Sequence, residues 1–322
     1  MAAEIDMSNN RANMAFSGSR TQIWHGLGSE MTEGQSVDEW IVQAGLDWKI
    51  EQSPVTYGVG ESQKTFPDKQ VLYRSDTQEA LAVVSDSFKI VQPREVVEFF
   101  RELVEKNDMK LSTAGSLFGG KKFWALAELG KDSNITDGDV VKPYLLLTTA
   151  ADGTLKTTGK LTCTRTVCNN TITIALAEQS KSVVAISHRS EWDPDLVKVN
   201  LGLMEESWYN FISNARKMAS KKITDKQAET FYQELVFNSE REEPSRVEVR
   251  NVQRLMDLYK NGQGSEMTNG TLWGVLNGAT ELWTHGVVGS KRSVSSQFWD
   301  SEIGGGQHDS KVKAYDKALA MV

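Results

Sequence analysis

Charge and aromatic rings combine at Lys121-Lys122-Phe123-Trp124, a pattern suited to single-stranded nucleic acid. A basic groove follows the phosphates while rings stack on exposed bases, each stack contributing about 1–3 kcal/mol. If the segment is a strand, Lys122 and Trp124 share one face, and Lys121 and Phe123 share the other. The same residues also suit a plain strand with its rings in the core and its lysines in solvent. Lys156, Lys160 and Arg165 on the next extended segment add cations to that surface. Asn169 and Asn170 stand where they would cap a helix running through Ile172, Ile174, Ala175 and Leu176. Capping asparagines and a helix N-terminus also suit a phosphate. Backbone contacts of this kind are salt-dependent and indifferent to base sequence.

Other chemistries lack their residues. Gly115 to Lys121 contains Gly-Gly-Lys, but Lys122 stands where a phosphate-binding loop needs Ser or Thr. Gly26 and Gly28 have no preceding strand and no third glycine, so they make no dinucleotide fingerprint. His25, His188, His285 and His308 are too scattered for ligand spacing, and no metal site is expected. Cys163 and Cys168 read as small buried thiols, and they suit a reducing compartment. Asp132, Asp137 and Asp139 fall in a polar stretch and read as a solvated turn. No general acid and base can be paired, so neither an enzyme nor a cofactor is expected.

The elements that must hold these residues are legible in outline. The chain has 322 residues, of which 39% are hydrophobic and 25% charged, a globular mix that excludes wholesale disorder. No stretch is long and apolar enough for a membrane span, and Met1 to Arg20 has no apolar signal core, so a cytoplasmic location is expected. Residues 1–20 read as a disordered tail, 21–190 as an α+β core and 191–322 as a helical region. Ser36 with Glu39 opens a short helix that Gly45 stops. Gln70 to Arg74 and Ala80 to Val84 form a hairpin with a longer loop. Pro93 starts a helix that runs to about Asn107. Lys110 to Leu117 and Lys121 to Leu129 flank Phe118-Gly119-Gly120 as a tight hairpin. Further strands cover Pro143 to Thr149, Thr154 to Thr166 and Ser182 to Ser187. Beyond Pro194 the spacing is helical, with Thr224 and Gln227 as one cap. Trp273, Asn277, Glu281 and His285 recur every four residues on one helix face, as a buried polar network would. The fold class is therefore α+β: a β-rich N-terminal half with a packed helix, then a helical C-terminal part.

The formal net charge is −7, unlike a uniformly basic nucleic-acid binder. The charge is uneven, however. Residues 109–190 carry 10 Lys or Arg against 6 Asp or Glu, so a polyanion site belongs there.

Two stretches carry a family resemblance: Leu161-Thr-Cys-Thr-Arg-Thr-Val-Cys-Asn-Asn-Thr171 and Gly270-Thr-Leu-Trp-Gly-Val-Leu-Asn-Gly-Ala-Thr-Glu-Leu-Trp-Thr-His285. Together they resemble the phage/plasmid-like protein family, a domain-of-unknown-function family borne by phages and plasmids. Trp24-His25-Gly26-Leu27-Gly28, Arg74-Ser75-Asp76 and Asp152-Gly153 fit as well. Thr166 departs from the family core, and so do Trp283 and Thr284 before His285. The resemblance implies a phage, prophage or plasmid origin. The order hairpin, strands, helix is also similar to the core of Rad52-like single-strand annealing proteins, an analogy of fold only. The expected function is single-stranded nucleic-acid binding in phage or plasmid recombination or replication, with strand annealing as its sharp form. Single-stranded DNA and further copies of the chain are the expected partners. The alternative is a non-enzymatic interaction protein that modulates host or defence functions.

Overall fold

Alternating β-branched, aromatic and polar residues set the strands, most of which join one sheet. The computed structural model describes residues 5–18, 27–106, 109–165, 171–173, 183–191, 193–237, 240–285 and 306–322. Strands β1 (Met14–Ser17) and β2 (Ser29–Met31) come first and pair in parallel. Helix α1 (Val37–Gln43) follows, then β3 (Ile50–Val59), β4 (Ser62–Arg74) and β5 (Ala80–Ser85), which form a separate three-stranded antiparallel sheet. Helices α2 (Pro93–Glu98) and α3 (Arg101–Lys106) lead into β6 (Lys110–Leu117), β7 (Lys122–Glu128), β8 (Ser133–Thr136) and β9 (Asp139–Ala150). Strands β10 (Thr157–Arg165), β11 (Thr171–Thr173) and β12 (Val183–Ile186) complete a nine-stranded sheet. Its order is β11-β10-β9-β7-β6-β1-β2, with β12 on β10 and β8 on β9.

The C-terminal part is helical: α4 (Pro194–Ser220), α5 (Asp225–Val236), α6 (Arg246–Asn261), α7 (Leu272–His285) and α8 (Gly306–Leu319). The molecule is thus α+β, as its sequence pattern implies. Local chemistry starts several helices. Ser36 with Glu39, Thr224 with Gln227 and Ser245 with Glu248 each form a reciprocal capping box. Helix α7 packs against α4, α5, α6 and α8 and fully buries Trp273. Its close packing needs glycine. A Cβ on Gly278 would lie 2.7 Å from the Tyr232 hydroxyl and 3.0 Å from the Tyr259 amide nitrogen.

Alternation along β7 gives the large sheet two different faces. Phe123, Ala125 and Ala127 are buried in the main core, with α2 packed on β7 and β9. Trp124 instead joins a small cluster with Ile5, Met14, Phe16 and Leu117.

Three local expectations are corrected. The tail expected over residues 1–20 is structured across 5–18: Phe16 is fully buried, and β1 pairs with β6. Burial of its apolar side chains against Leu117 and Trp124 is what orders it. The helix expected from Pro93 to about Asn107 is broken between α2 and α3. There the adjacent rings of Phe99 and Phe100 both enter the core, edge to face at 5.0 Å. Adjacent residues on one helix point about 100° apart, so a break lets both rings turn inward. Finally, Thr171-Ile172-Thr173 is strand and not helix. Its β-branched residues pair antiparallel with Thr162–Thr164.

Strands β3 and β4 run on well past β5. The register is Tyr57 opposite Lys64 and Val59 opposite Ser62, while β5 reaches only Lys69. This leaves a two-stranded arm. Tyr57, Val59 and Phe66 on it are 45%, 50% and 47% exposed. The Tyr57 and Phe66 rings meet edge to face at 6.3 Å.

Candidate nucleic-acid interface

The β6–β7 turn is built from three left-handed residues, Phe118, Gly119 and Gly120, with φ of 55°, 69° and 87°. Gly120 has no room for a side chain: a Cβ there would lie 2.6 Å from Arg74 Nη1 and 2.9 Å from the Trp48 ring. The turn therefore rests on Arg74, whose side chain is wholly buried. Arg74 Nη1 donates to Asp6 Oδ2 at 2.5 Å and to the Gly119 carbonyl at 3.3 Å. Its Nε and Nη2 donate to the two Asp76 oxygens at 2.9 and 2.7 Å. The guanidinium also lies 4.1 Å over the Trp48 ring. Asp6 accepts further bonds from Asn13 Nδ2 at 2.8 Å and Ser116 Oγ at 3.1 Å. Burial alone would raise the Asp6 carboxyl. Hydrogen bonds from Ser8, Arg74 and Asn13 outweigh it and hold the group below its ordinary range.

On this base stand the basic side chains. Lys121 accepts the Ala151 amide at its carbonyl, 2.8 Å away, and Lys122 pairs opposite Ala150. The β9–β10 turn therefore lies beside the β6–β7 turn, at one end of the sheet. Lys156, exposed, belongs to that second turn. The Lys122 ammonium lies 5.5 Å over the Phe118 ring. His188 fastens the same end from another element. It stacks on Phe88 with ring centroids 4.4 Å apart. Its Nδ1 lies 3.1 Å from the Lys89 carbonyl and its Nε2 2.9 Å from the Leu155 carbonyl. A neutral imidazole can donate to only one of those oxygens, an imidazolium to both. This contact brings Lys89 and exposed Arg189 to the same end, and Lys89 pairs with Glu191 at 2.6 Å. No motif marks these residues in the sequence, because residues 88–89 and 188–189 meet only through the fold.

The remaining expected site residues are not gathered here. Lys122 and Trp124 do share a face, and Phe123 points the other way to the core, edge to face with Trp48 at 6.4 Å. Trp124 is half-buried, and its Nε1 donates to Thr113 Oγ1 at 3.0 Å, so it is a packing residue and not an open stacking platform. Lys160 is only 3% exposed, with Nζ 3.2 Å from His308 Nδ1 on α8, so it cannot meet a backbone phosphate at the surface. Arg165 ends β10 opposite Val141. Asn169 lies outside the described residues, and with β11 in strand form the helix it was expected to cap does not begin at Thr171. Two other cations of the basic middle segment are neutralised. Lys110 pairs with Glu33 at 2.7 Å, and Lys142 pairs with Glu128 at 2.9 Å.

Asp139 also differs from expectation. It is fully buried rather than solvated, and it accepts the Trp273 indole N–H at 2.7 Å. In the four-residue stripe, Asn277 donates to the Trp273 carbonyl at 2.9 Å. The stripe thus anchors α7 to β9 through Asp139, a partner that helical spacing does not show. Cys163 is fully buried, and Cys168 lies outside the described residues. Among the described residues no group of three or more His, Cys, Asp or Glu is placed to hold a metal ion. No helix among them is long and apolar enough to cross a membrane.

A family model described as a domain of unknown function, DUF932, matches residues 80–303, well over half of the chain. The chain belongs to the DUF932 family. The matched DUF932 span begins at β5 and runs past α7, so it includes both cationic turns and the two stretches that carry the sequence resemblance. The protruding arm, β1 and Asp6 precede it. Neither the curated proteins nor the solved structures offer a match to this DUF932 chain.

Proposed function

We propose that this protein binds single-stranded nucleic acid in phage or plasmid recombination or replication. One observation carries the reading: Lys121, Lys122 and Lys156 stand on two neighbouring turns at one end of the large sheet. Among the described residues neither Lys121 nor Lys156 has a carboxylate partner. Cations on adjacent turns can follow successive phosphates without reading bases. The sharper form of the proposal is strand annealing of the Rad52-like kind. That role asks only for a backbone grip that leaves bases free to pair, and it needs neither nucleotide hydrolysis nor metal. The fold analogy behind it is weakened at Thr171–Thr173, where strand replaces the expected helix. The charged sheet end supports it instead.

The test is fluorescence anisotropy of a labelled oligo-dT at low and high salt, with duplex DNA as competitor. Affinity should fall steeply with salt. Lys121→Ala/Lys122→Ala/Lys156→Ala should flatten the log–log salt slope by about 0.7 for each phosphate that the protein no longer neutralises. Absent or salt-independent binding, or an unchanged slope in the triple variant, refutes the proposal.

The arm favours a second reading, a non-enzymatic interaction protein. Its exposed Tyr57, Val59 and Phe66 share a face with Lys64 on a hairpin with little support of its own. That reading predicts a protein partner retained after nuclease treatment and released by Tyr57→Ser/Phe66→Ser.

A further inference from the structure

The last three turns of α4 carry an open groove of about 680 Å³, within the range of small-molecule sites. Tyr209, Ile212, Arg216, Lys217 and Lys221 line it from the helix and its C-terminal continuation, together with Val322. Three properties give it a chemistry. First, it is cationic: three of its lining residues are basic, and among the described residues no Asp or Glu side chain lines it. Lys217 and Lys221 form no ion pair among the described residues. Second, one cation is held in place. Arg216 Nε and Nη2 both donate to the Asn134 carbonyl, at 3.0 and 2.9 Å, which fixes the guanidinium plane and leaves its Nη1 donors unused. Third, one end is apolar and aromatic. Ile212 is buried beneath it, and Tyr209 is 63% exposed.

The spacing follows from the helix. Tyr209 lies about 12 Å along the axis from Lys217, and Lys221 lies one turn further on. A ligand that fills the groove therefore needs a flat ring at one end and clustered negative charge about 10 Å away. The geometry points to a nucleotide site, with the base on Tyr209 and the phosphates of a nucleoside triphosphate on Arg216, Lys217 and Lys221. The shared chemistry, an aromatic base tethered to phosphates, also occurs at the end of a nucleic-acid strand. Free nucleotide is the source proposed here. The inference stands apart from the sheet-end reading, because no residue is common to the two sites.

Isothermal titration of the full chain with ATP, with and without magnesium, tests it. Wild type should bind. Lys217→Ala/Lys221→Ala should weaken binding at least about 10-fold, as expected when hydrogen bonds to charged groups are removed. Tyr209→Ala should weaken ATP but leave tripolyphosphate unchanged, since that probe has no base. Both variants alter exposed side chains, and their circular dichroism should match wild type. The Lys121→Ala/Lys122→Ala/Lys156→Ala variant should bind ATP normally, so loss of the sheet-end reading would leave this one intact. Failure of wild type to bind ATP overturns the proposal, as does binding that both groove variants leave unaltered. Binding of a 5′-phosphorylated oligo-dT through these residues, without binding of ATP, overturns the free-nucleotide assignment.

Discussion

Asp6 and Arg74 are 68 residues apart in the chain, yet their side chains form a buried ion pair with Asp76, Asn13 and Ser116 around it. Removing Asp6 takes the carboxylate from Arg74 Nη1 inside a fully buried site and leaves only Asp76, on Nε and Nη2, to offset the guanidinium's desolvation. Asp6→Ala should therefore lower stability by about 3 kcal/mol, read as a shift of the urea midpoint. The pH dependence has a definite sign. The Asp6 carboxyl titrates below its ordinary range when folded, so its contribution is complete above the unfolded carboxylate value. It is lost as pH falls through the depressed folded value. Wild type should thus lose stability on acidification, and Asp6→Asn should show a shallower acid limb in melts from pH 5 downward. Little of this clasp was legible in the sequence. Asp6 lies in a polar stretch with no periodic apolar signal, and nothing local tells a solvated aspartate from one held by an arginine a long loop away. Asp139 shows the same gap, because its neighbours mark a turn while its actual partner is Trp273. Trp273→Phe should cost about 1–3 kcal/mol by leaving that carboxylate without the indole donor.

Elements governed by neighbours in sequence were readable. The caps at Ser36 and Thr224, the Phe118-Gly119-Gly120 turn and the alternation of β7 follow from interactions a few residues long. Elements that depend on distant partners were not. Strand β1 has only four residues and is defined by pairing with β6, and the Phe99–Phe100 break exists because both rings find space in the core. Around the candidate interface, the hairpin that carries Lys121 and Lys122 came through. The burial of Lys160 beneath α8 did not, because a lysine on a strand carries no mark of the helix that will cover it. Two glycines should respond oppositely at this scale. Gly278→Ala should cost about 1–3 kcal/mol, since its methyl would press on Tyr232 and the Tyr259 backbone. Gly58→Ala, in the arm with open space around it, should be neutral or slightly stabilising. Paired denaturant titrations would expose the contrast.

For the whole molecule, three surface features among the described residues fall on different elements. The cationic turns occupy one end of the large sheet, the α4 groove lies in the helical part, and the protruding arm belongs to the small sheet. The arm contributes little to the core, since residues 56–69 are all exposed. Replacing them with a two-residue turn should move the melting temperature by no more than about 4 °C, measured by scanning calorimetry. A larger drop would mean that the arm braces Arg74 and the β6–β7 turn.

The N-terminal segment has a further consequence, for the order of events during synthesis. Met14 to Phe16 emerge from the ribosome early but pair with Thr113 to Gly115, about a hundred residues downstream. Asp6 likewise waits for Arg74, and Ile5 for its bridge to Leu117. Until β6 and β7 have been made, β1 has only β2 to pair with, and its apolar side chains lack the Leu117 and Trp124 that cover them in the fold. Such long-range closure slows folding. A translational pause before β6 should therefore prolong a protease-sensitive N-terminus on nascent chains, while a pause after β7 should not.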